Sequence, residues 1–238
     1  MKVQDILNES VPGQIPVVHL SAKQHFSAEK LKAQFIGDGF QSDAYKHNTS
    51  QSSILKVIHL SEVGHDETTA DSAGEFIQLC YNHQDNPFFP KIYKVKKYVW
   101  DKAVEFERPG PYNSEARSII VVEMEKLHPI TEGQLHHVAQ KIFESLGLSR
   151  EYFISVASKY TGKPVEAFQD RSITSLVSYA FNKDPEGIKK HTKNPKLAEA
   201  IDLLVTTKHN GQMDLHAGNM MFRMTNIGPQ LVLVDPWS

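Results

Sequence analysis

The sequence is poor in several features that would narrow its class at once. It holds one cysteine, Cys80, which excludes a disulfide framework and any zinc site built on cysteines. No apolar run approaches the roughly 18–20 residues of a membrane-spanning helix, and the opening MKVQDILNESVPG has no signal-peptide core. Neither sign of charge dominates. The 26 Lys and Arg face 28 Asp and Glu, a net charge of -2, so no global basic field recruits nucleic acid. Internal repeats and low-complexity segments are missing too. These absences lead to the expectation of a soluble, cytoplasmic protein with neither membrane nor nucleic acid as partner.

What is present is an ordinary globular composition: 238 residues, 40% hydrophobic, 23% charged, with 13 Gly and 12 Pro. Folding a chain of this size buries roughly 70% of its extended surface, enough for a full core. Residues 1–33 read as an N-terminal extension with a short amphipathic helix at SAEKLKAQF, residues 27–35. From Phe35 to Leu60, short apolar runs broken by polar turns predict a hairpin. Residues 66–83 space Ala70, Ala73, Phe76, Ile77 and Cys80 as a helix, broken by Asn86-Pro87 and Phe89-Pro90. Residues 91–106 and 117–124 read as two further strands around a Pro/Gly-rich turn. After Leu127 come four helical patterns, starting near Gly133, Glu151, Ser172 and Lys196, and then a terminal hairpin, NMMFRM and QLVLVD. The expected fold class is α+β, with a β-rich lobe over 34–125 and a helical lobe over 126–238.

Three groups of residues carry chemistry. Gly37 and Gly39 form a Gly-x-Gly turn, closed by Ser42, whose backbone N–H groups can approach phosphate oxygens with no side chain between; ordinary hairpins use the same turn. Lys56 alternates with Ile54 and Ile58, so its ammonium belongs to a core-facing side and needs a partner. Glu75, in the following helix, can supply it, with Glu67 as a rival. In the string Asp214-Leu215-His216-Ala217-Gly218-Asn219, a loop Asp and an Asn precede an apolar run, and Asp235 closes the next one. Such a set can orient a hydroxyl and hold Mg²⁺ through oxygen ligands, though Asp, Asn and Gly are also the common turn formers.

The remaining signals are blander. The 12 His invite a zinc reading, but adjacent His136 and His137 on a helix do not converge as an i, i+4 pair does. His216 reads as a hydrogen-bonding member of its loop. Lys183, Lys189, Lys190, Lys193 and Lys196 read as a solvated basic face.

Taken in this order, Gly-x-Gly, Lys56, Glu75, D-x-H-x-G-N and Asp235, the sequence resembles the protein-kinase-like superfamily over most of the span from Ile36 to Pro236. The D-x-H-x-G-N string is similar to that of phage-type serine/threonine kinases and of aminoglycoside and choline phosphotransferases. Asp235-Pro236, and Asn86-Pro87 ahead of Phe89-Pro90-Lys91-Ile92-Tyr93, look closest to the small early-gene kinases of podoviruses. The resemblance implies a bilobal kinase-like fold and an ATP- and Mg²⁺-dependent kinase acting on Ser or Thr of proteins, host proteins in the host cytoplasm if phage-encoded. It makes Asp214 the catalytic base, Asn219 and Asp235 the Mg²⁺ ligands, Lys56 the contact to ATP phosphates and Glu75 its anchor. Val122-Glu123-Met124-Glu125 falls where the adenine-binding backbone would lie. The pattern departs at Gln212 and Met213, where many kinases have His and Arg, and at Pro236 after Asp235. The sequence also ends at Ser238, ahead of where an activation segment would run. A small-molecule phosphotransferase and a partner-binding pseudokinase are the alternative readings.

Overall fold

The computed structural model describes residues 14–20, 34–38, 42–47, 49–60, 67–106, 114–130, 136–207 and 213–237. It is mixed α+β and divides into two compact units, Met1–Asn82 with Lys91–Lys126, and His83–Pro90 with Leu127–Ser238. The helix expected over 27–35 lies almost wholly outside the described residues, and Phe35 itself is in a strand.

The first unit is a six-stranded sheet and one helix. Its strands are β1 (Val17–Leu20), β2 (Phe35–Asp38), β3 (Ser42–Lys46), β4 (Ser53–Leu60), β5 (Ile92–Phe106) and β6 (Ser114–Glu125), in spatial order β1-β5-β6-β4-β3-β2. All neighbours are antiparallel except β1 and β5, which run parallel from Val17 opposite Lys97 to Leu20 opposite Trp100. The stretch expected to be two strands of a hairpin takes three. β2 and β3 pair from Phe35 opposite Tyr45 to Asp38 opposite Asp43, because the polar, glycine-containing stretch between them breaks the first apolar run.

Period-two alternation divides the sheet into two faces. On one lie Lys56, Ile58 and Leu60 of β4 with Ile120 and Val122 of β6 and Lys97 of β5, as the register requires. Helix α1 (Glu67–Asn82) packs here through buried Phe76, Ile77, Leu79 and Cys80. A Cβ at Gly74 would stand 3.3 Å from the Ile120 Cδ1, a measure of how closely the helix approaches. The other face carries a cluster of Tyr45, Val57, Tyr98, Trp100 and Ile119. Val18 and Leu20, alternate residues of β1, pack against it, which is why this short strand is held at the sheet edge. Beside the cluster, His59 Nε2 lies 2.9 Å from Asp43 Oδ2, both side chains buried.

The second unit contains α2 (His136–Glu144), α3 (Arg150–Thr161), α4 (Ile173–Lys183), α5 (Pro185–His191) and α6 (Pro195–Thr207). It also holds a three-stranded sheet of β7 (His128–Pro129), β8 (Met220–Thr225) and β9 (Gly228–Leu233). Capping explains where α3 and α4 start. Ser149 accepts from the Tyr152 N–H at 3.2 Å, and Ser172 from the Ser175 N–H at 3.2 Å. Gly162, at φ 69°, ends α3 by donating to the Ser158 carbonyl. Helix α5 was not among the four anticipated: it is 7 residues long, too short for a periodic signal, and it starts with Pro at its first turn. The expected terminal hairpin is present, Met220 opposite Leu233 to Thr225 opposite Gly228.

Residues 83–90 belong to this unit by their bonds. Fully buried Asn86 donates from Nδ2 to the Lys196 carbonyl at 3.0 Å and accepts the Phe88 N–H at 3.0 Å. The Phe88 carbonyl in turn accepts the Leu233 N–H at 2.8 Å. Asn-Pro here is more than a helix stop: its amide ties the segment to α6.

Lys96, on β5 two residues before Tyr98, is 6% exposed, and burial holds its ammonium below the ordinary lysine pKa. The unfolded chain therefore binds that proton more tightly than the native one. The penalty is complete at neutral pH and disappears as pH rises through the lowered native value toward the ordinary one. Lys96→Met is expected to raise the melting temperature at pH 7, with the advantage over wild type shrinking near pH 10.5. Paired thermal melts across that range check both the sign and the window.

Candidate functional site

In the second unit the sequence-predicted residues converge on one side chain. Asp214 lies after Met213, which bridges to Trp237, and its N–H donates to the Pro236 carbonyl at 2.8 Å. The loop then makes a short 3-10 turn, Ala217–Asn219, entering β8. From its end, Asn219 Nδ2 donates to the backbone carbonyls of Asp214 and Asp235, each at 2.8 Å. The Asn219 carbonyl accepts the Val234 N–H at 2.9 Å. One amide thus joins the start of the loop to the end of β9.

The two acceptors fix which way the amide faces. Both are carbonyl oxygens, so both need N–H donors, and the nitrogen must sit between them. Oδ1 therefore faces away and keeps its lone pairs for another donor or a cation. Asp235 has φ 44°, the single positive value for a non-glycine among the described residues. Such a conformation costs of order 1–3 kcal/mol and persists where surrounding structure over-determines it. Here the bonds to its own carbonyl, to the Pro236 carbonyl and from the Val234 N–H provide that constraint. The carboxylate of Asp214, half-buried, takes no hydrogen bond or ion pair among the described residues, while both of its backbone polar groups are engaged.

His216 is a hydrogen-bonding member of the loop, as expected. Its Nδ1 accepts the Gly218 N–H at 3.0 Å, which makes Nε2 the protonated nitrogen of the neutral ring. The ring lies so close that a Cβ on Gly218 would stand 2.8 Å from Cε1. A side chain at Gly218 would have to displace the exposed His216 ring.

Sequence reasoning missed two residues of α4. Asn182 Oδ1 accepts the Leu215 N–H at 2.8 Å, and the Leu215 carbonyl accepts from Ser178 Oγ and, at 3.5 Å, from Asn182 Nδ2. The signal available was a polar stripe, Thr174-Ser178-Asn182, at i, i+4, i+8 along a helix that buries Leu176, Val177, Ala180 and Phe181. Arg223 was missed as well; its guanidinium donates to the Phe89 carbonyl.

In the first unit, Lys56 lies on β4 opposite Ala44 and Val122, on the sheet face that carries α1. Glu75, half-buried on α1, lines a cavity of about 410 Å³ with Ile15, Leu60, Gln78, Lys97 and Ile120. Lys56 and Glu75 thus share one side of the sheet, with Lys97 as the cation in the cavity beside Glu75. The side chain of Glu67, the rival partner, lies outside the described residues. Gly37 pairs with Ala44, and a Cβ there would meet nothing within 4 Å. Ser42 opens β3 opposite Ile58, and Gly39 lies outside the described residues.

The segment Val122–Glu125 is strand-paired on both sides, to Ser53–Lys56 and to the start of β5. The Glu123 carboxylate meets Lys94 at 3.4 Å and His47 at 3.6 Å. Glu125 takes the Lys91 N–H on its side chain at 2.7 Å and donates its own N–H to the Lys91 carbonyl at 3.0 Å. Two lysines of the basic stretch are engaged by carboxylates: Lys189 by Asp202 and Glu186, Lys196 by Asp85 and Glu199. Asp85 is held below the usual carboxylate range by the Lys196 ammonium.

Replacing Asn219 by Leu removes both side-chain donors: the Asp214 carbonyl keeps only the His216 N–H at 3.1 Å, and the Asp235 carbonyl loses its bond to the amide. The expected cost is about 1–3 kcal/mol in denaturant unfolding. Asn219→Asp is expected to be at least as costly, since a carboxylate oxygen would face two carbonyl oxygens. A variant of wild-type stability would show that the bridge contributes nothing.

Compared with known proteins, the chain matches no protein-family model and no curated protein.

Proposed function

We propose that this protein is an ATP- and Mg²⁺-dependent protein kinase of the bilobal kinase-like class, transferring the γ-phosphoryl group to Ser or Thr hydroxyls of protein substrates. The observation that carries this reading is the Asn219 amide, which ties Asp214 and Asp235 to one point while its own oxygen is turned outward. An amide oxygen and the Asp235 carboxylate are hard oxygen donors and fit Mg²⁺ rather than a softer metal. The Mg²⁺ would neutralise charge on the phosphates when bound.

The chain's own residues would divide the remaining work. Asp214, its backbone fixed and its carboxylate not engaged by another described side chain, would receive the substrate hydroxyl proton. The hydroxyl oxygen bonds to the γ-phosphorus as the bond to the ADP oxygen breaks. Lys56, with Glu75 on the same face of its sheet, would hold the phosphates, and the backbone of the Gly37–Ser42 hairpin would approach them. His216 accepting from Gly218 would keep the loop between Asp214 and Asn219 in one shape.

The test is transfer of label from γ-labelled ATP with Mg²⁺, by the full chain alone and with a cell lysate. Label on protein Ser or Thr supports the reading. Label on small molecules replaces it with a small-molecule phosphotransferase, and label nowhere replaces it with a binding protein. Asp214→Asn is expected to lower single-turnover rates by about 10²-fold or more with ATP affinity little changed. Asp235→Asn is expected to raise the Mg²⁺ requirement, and Lys56→Met to reduce transfer strongly in a folded protein. The reverse assignment, nucleotide binding lost in Asp214→Asn with normal rates in Asp235→Asn, would overturn these roles.

A further inference from the structure

Helix α4 buries Leu176, Val177, Ala180 and Phe181, yet sets Ser178 and Asn182 four residues apart on the side facing the loop of Asp214. Ser and Asn are weak helix formers because their side chains compete for backbone bonds. Both do bond backbone here, in the loop rather than in their own helix. Asn182 Oδ1 takes the Leu215 N–H, and Ser178 Oγ with Asn182 Nδ2 supplies the Leu215 carbonyl. The Leu215 side chain is fully buried as well.

The consequence falls on Asp214. A single peptide plane joins Asp214 to Leu215. Its carbonyl end is held by Asn219 Nδ2 at 2.8 Å and by the His216 N–H at 3.1 Å, and its N–H end by Asn182 Oδ1 at 2.8 Å. With both ends bonded, the plane cannot rotate, and the direction in which the Asp214 side chain leaves the backbone is set. Of the side-chain anchors, Asn219 is the proposed metal ligand, whereas Asn182 directs both its amide oxygen and its amide nitrogen to the Leu215 backbone.

We infer that Asn182, supported by Ser178, is a positioning residue for phosphoryl transfer, aiming the Asp214 carboxylate by fixing the 214–215 peptide plane. The role rests on Asp214 being the group that receives the hydroxyl proton, as proposed above. Without Asn182 the plane loses the anchor at its N–H end and is held at its carbonyl end alone, and displacements of about 1 Å at a reacting group cost up to about 10²-fold in rate.

The experiment uses the full chain as wild type, Asn182→Ala, Asn182→Asp, Ser178→Ala and Ser178→Thr. It reads single-turnover transfer from γ-labelled ATP, KM for ATP, and the folded fraction by thermal melt. Asn182→Ala is expected to lose about 10- to 100-fold in kcat with KM for ATP little changed, after correction for folded fraction. Asn182→Asp keeps the acceptor for the Leu215 N–H and is expected to fall between Ala and wild type. Ser178→Ala should lose less, because Asn182 Nδ2 also reaches the Leu215 carbonyl, and Ser178→Thr should recover the loss. If Asn182→Ala does not fold, the Asp variant and the Ser178 pair decide on the same criteria. A folded Asn182→Ala with wild-type kcat, or losses that track folded fraction alone, would overturn the role while leaving the kinase reading standing. A wild-type chain that transfers nothing would overturn both.

Discussion

The loop from Asp214 to Asn219 and the end of β9 depend on the carboxamide of Asn219. Its nitrogen serves acceptors 5 residues before it and 16 residues after it, so a loop and the end of a strand are joined through one side chain. Neither carbonyl is part of a helix or ladder; that of Asp214 also accepts the His216 N–H at 3.1 Å, a bond within the loop, so it is the amide that links the loop to the end of β9. A neutral amide suits this position better than a charged or longer group. It supplies two donors from one atom, and its oxygen then has only one way to face. The positive φ at Asp235 follows from the same constraint, because the chain must turn there to bring its carbonyl back to the amide.

The rest of this unit converges on the segment from three directions. From α4, Ser178 and Asn182 take the backbone of Leu215. From the end of the chain, the Pro236 carbonyl receives the Asp214 N–H, and Trp237 bridges to Met213. From residues 83–90, the Phe88 carbonyl takes the Leu233 N–H and the Phe89 carbonyl takes Arg223, so the hairpin that delivers Asp235 is held on its outer side. Each contact engages a backbone group, the kind that burial requires to be paired. What remains available in the loop is then the side-chain chemistry of Asp214 and Asn219.

Legibility in the sequence followed the range of the interaction that determined each feature. Helix α1 was readable from Phe76, Ile77 and Cys80, and the β8–β9 hairpin from its two apolar runs, because periodicity is local. The starts of α3 and α4 lay close to Ser149 and Ser172, whose hydroxyls act within three residues. Strand β1 was missed, since four residues, Val-Val-His-Leu, carry little signal and its parallel partner is far along the chain. Helix α5 was too short to show a period. The polar stripe on α4 was visible as composition but had no meaning until Leu215 was seen beside it.

By itself the sequence determined the α+β class, most of the elements and the order Asp214, Asn219, Asp235, because side-chain spacing along the chain encodes which groups leave a loop and which close a strand. Tertiary structure decided what each of those groups does with its polar atoms. It assigned the Asn219 nitrogen to two carbonyls, placed Lys97 in the cavity beside Glu75, and gave the Leu215 backbone to α4. Hydrogen bonds between residues distant in sequence need a direction as well as a partner, and direction exists only once the elements have packed.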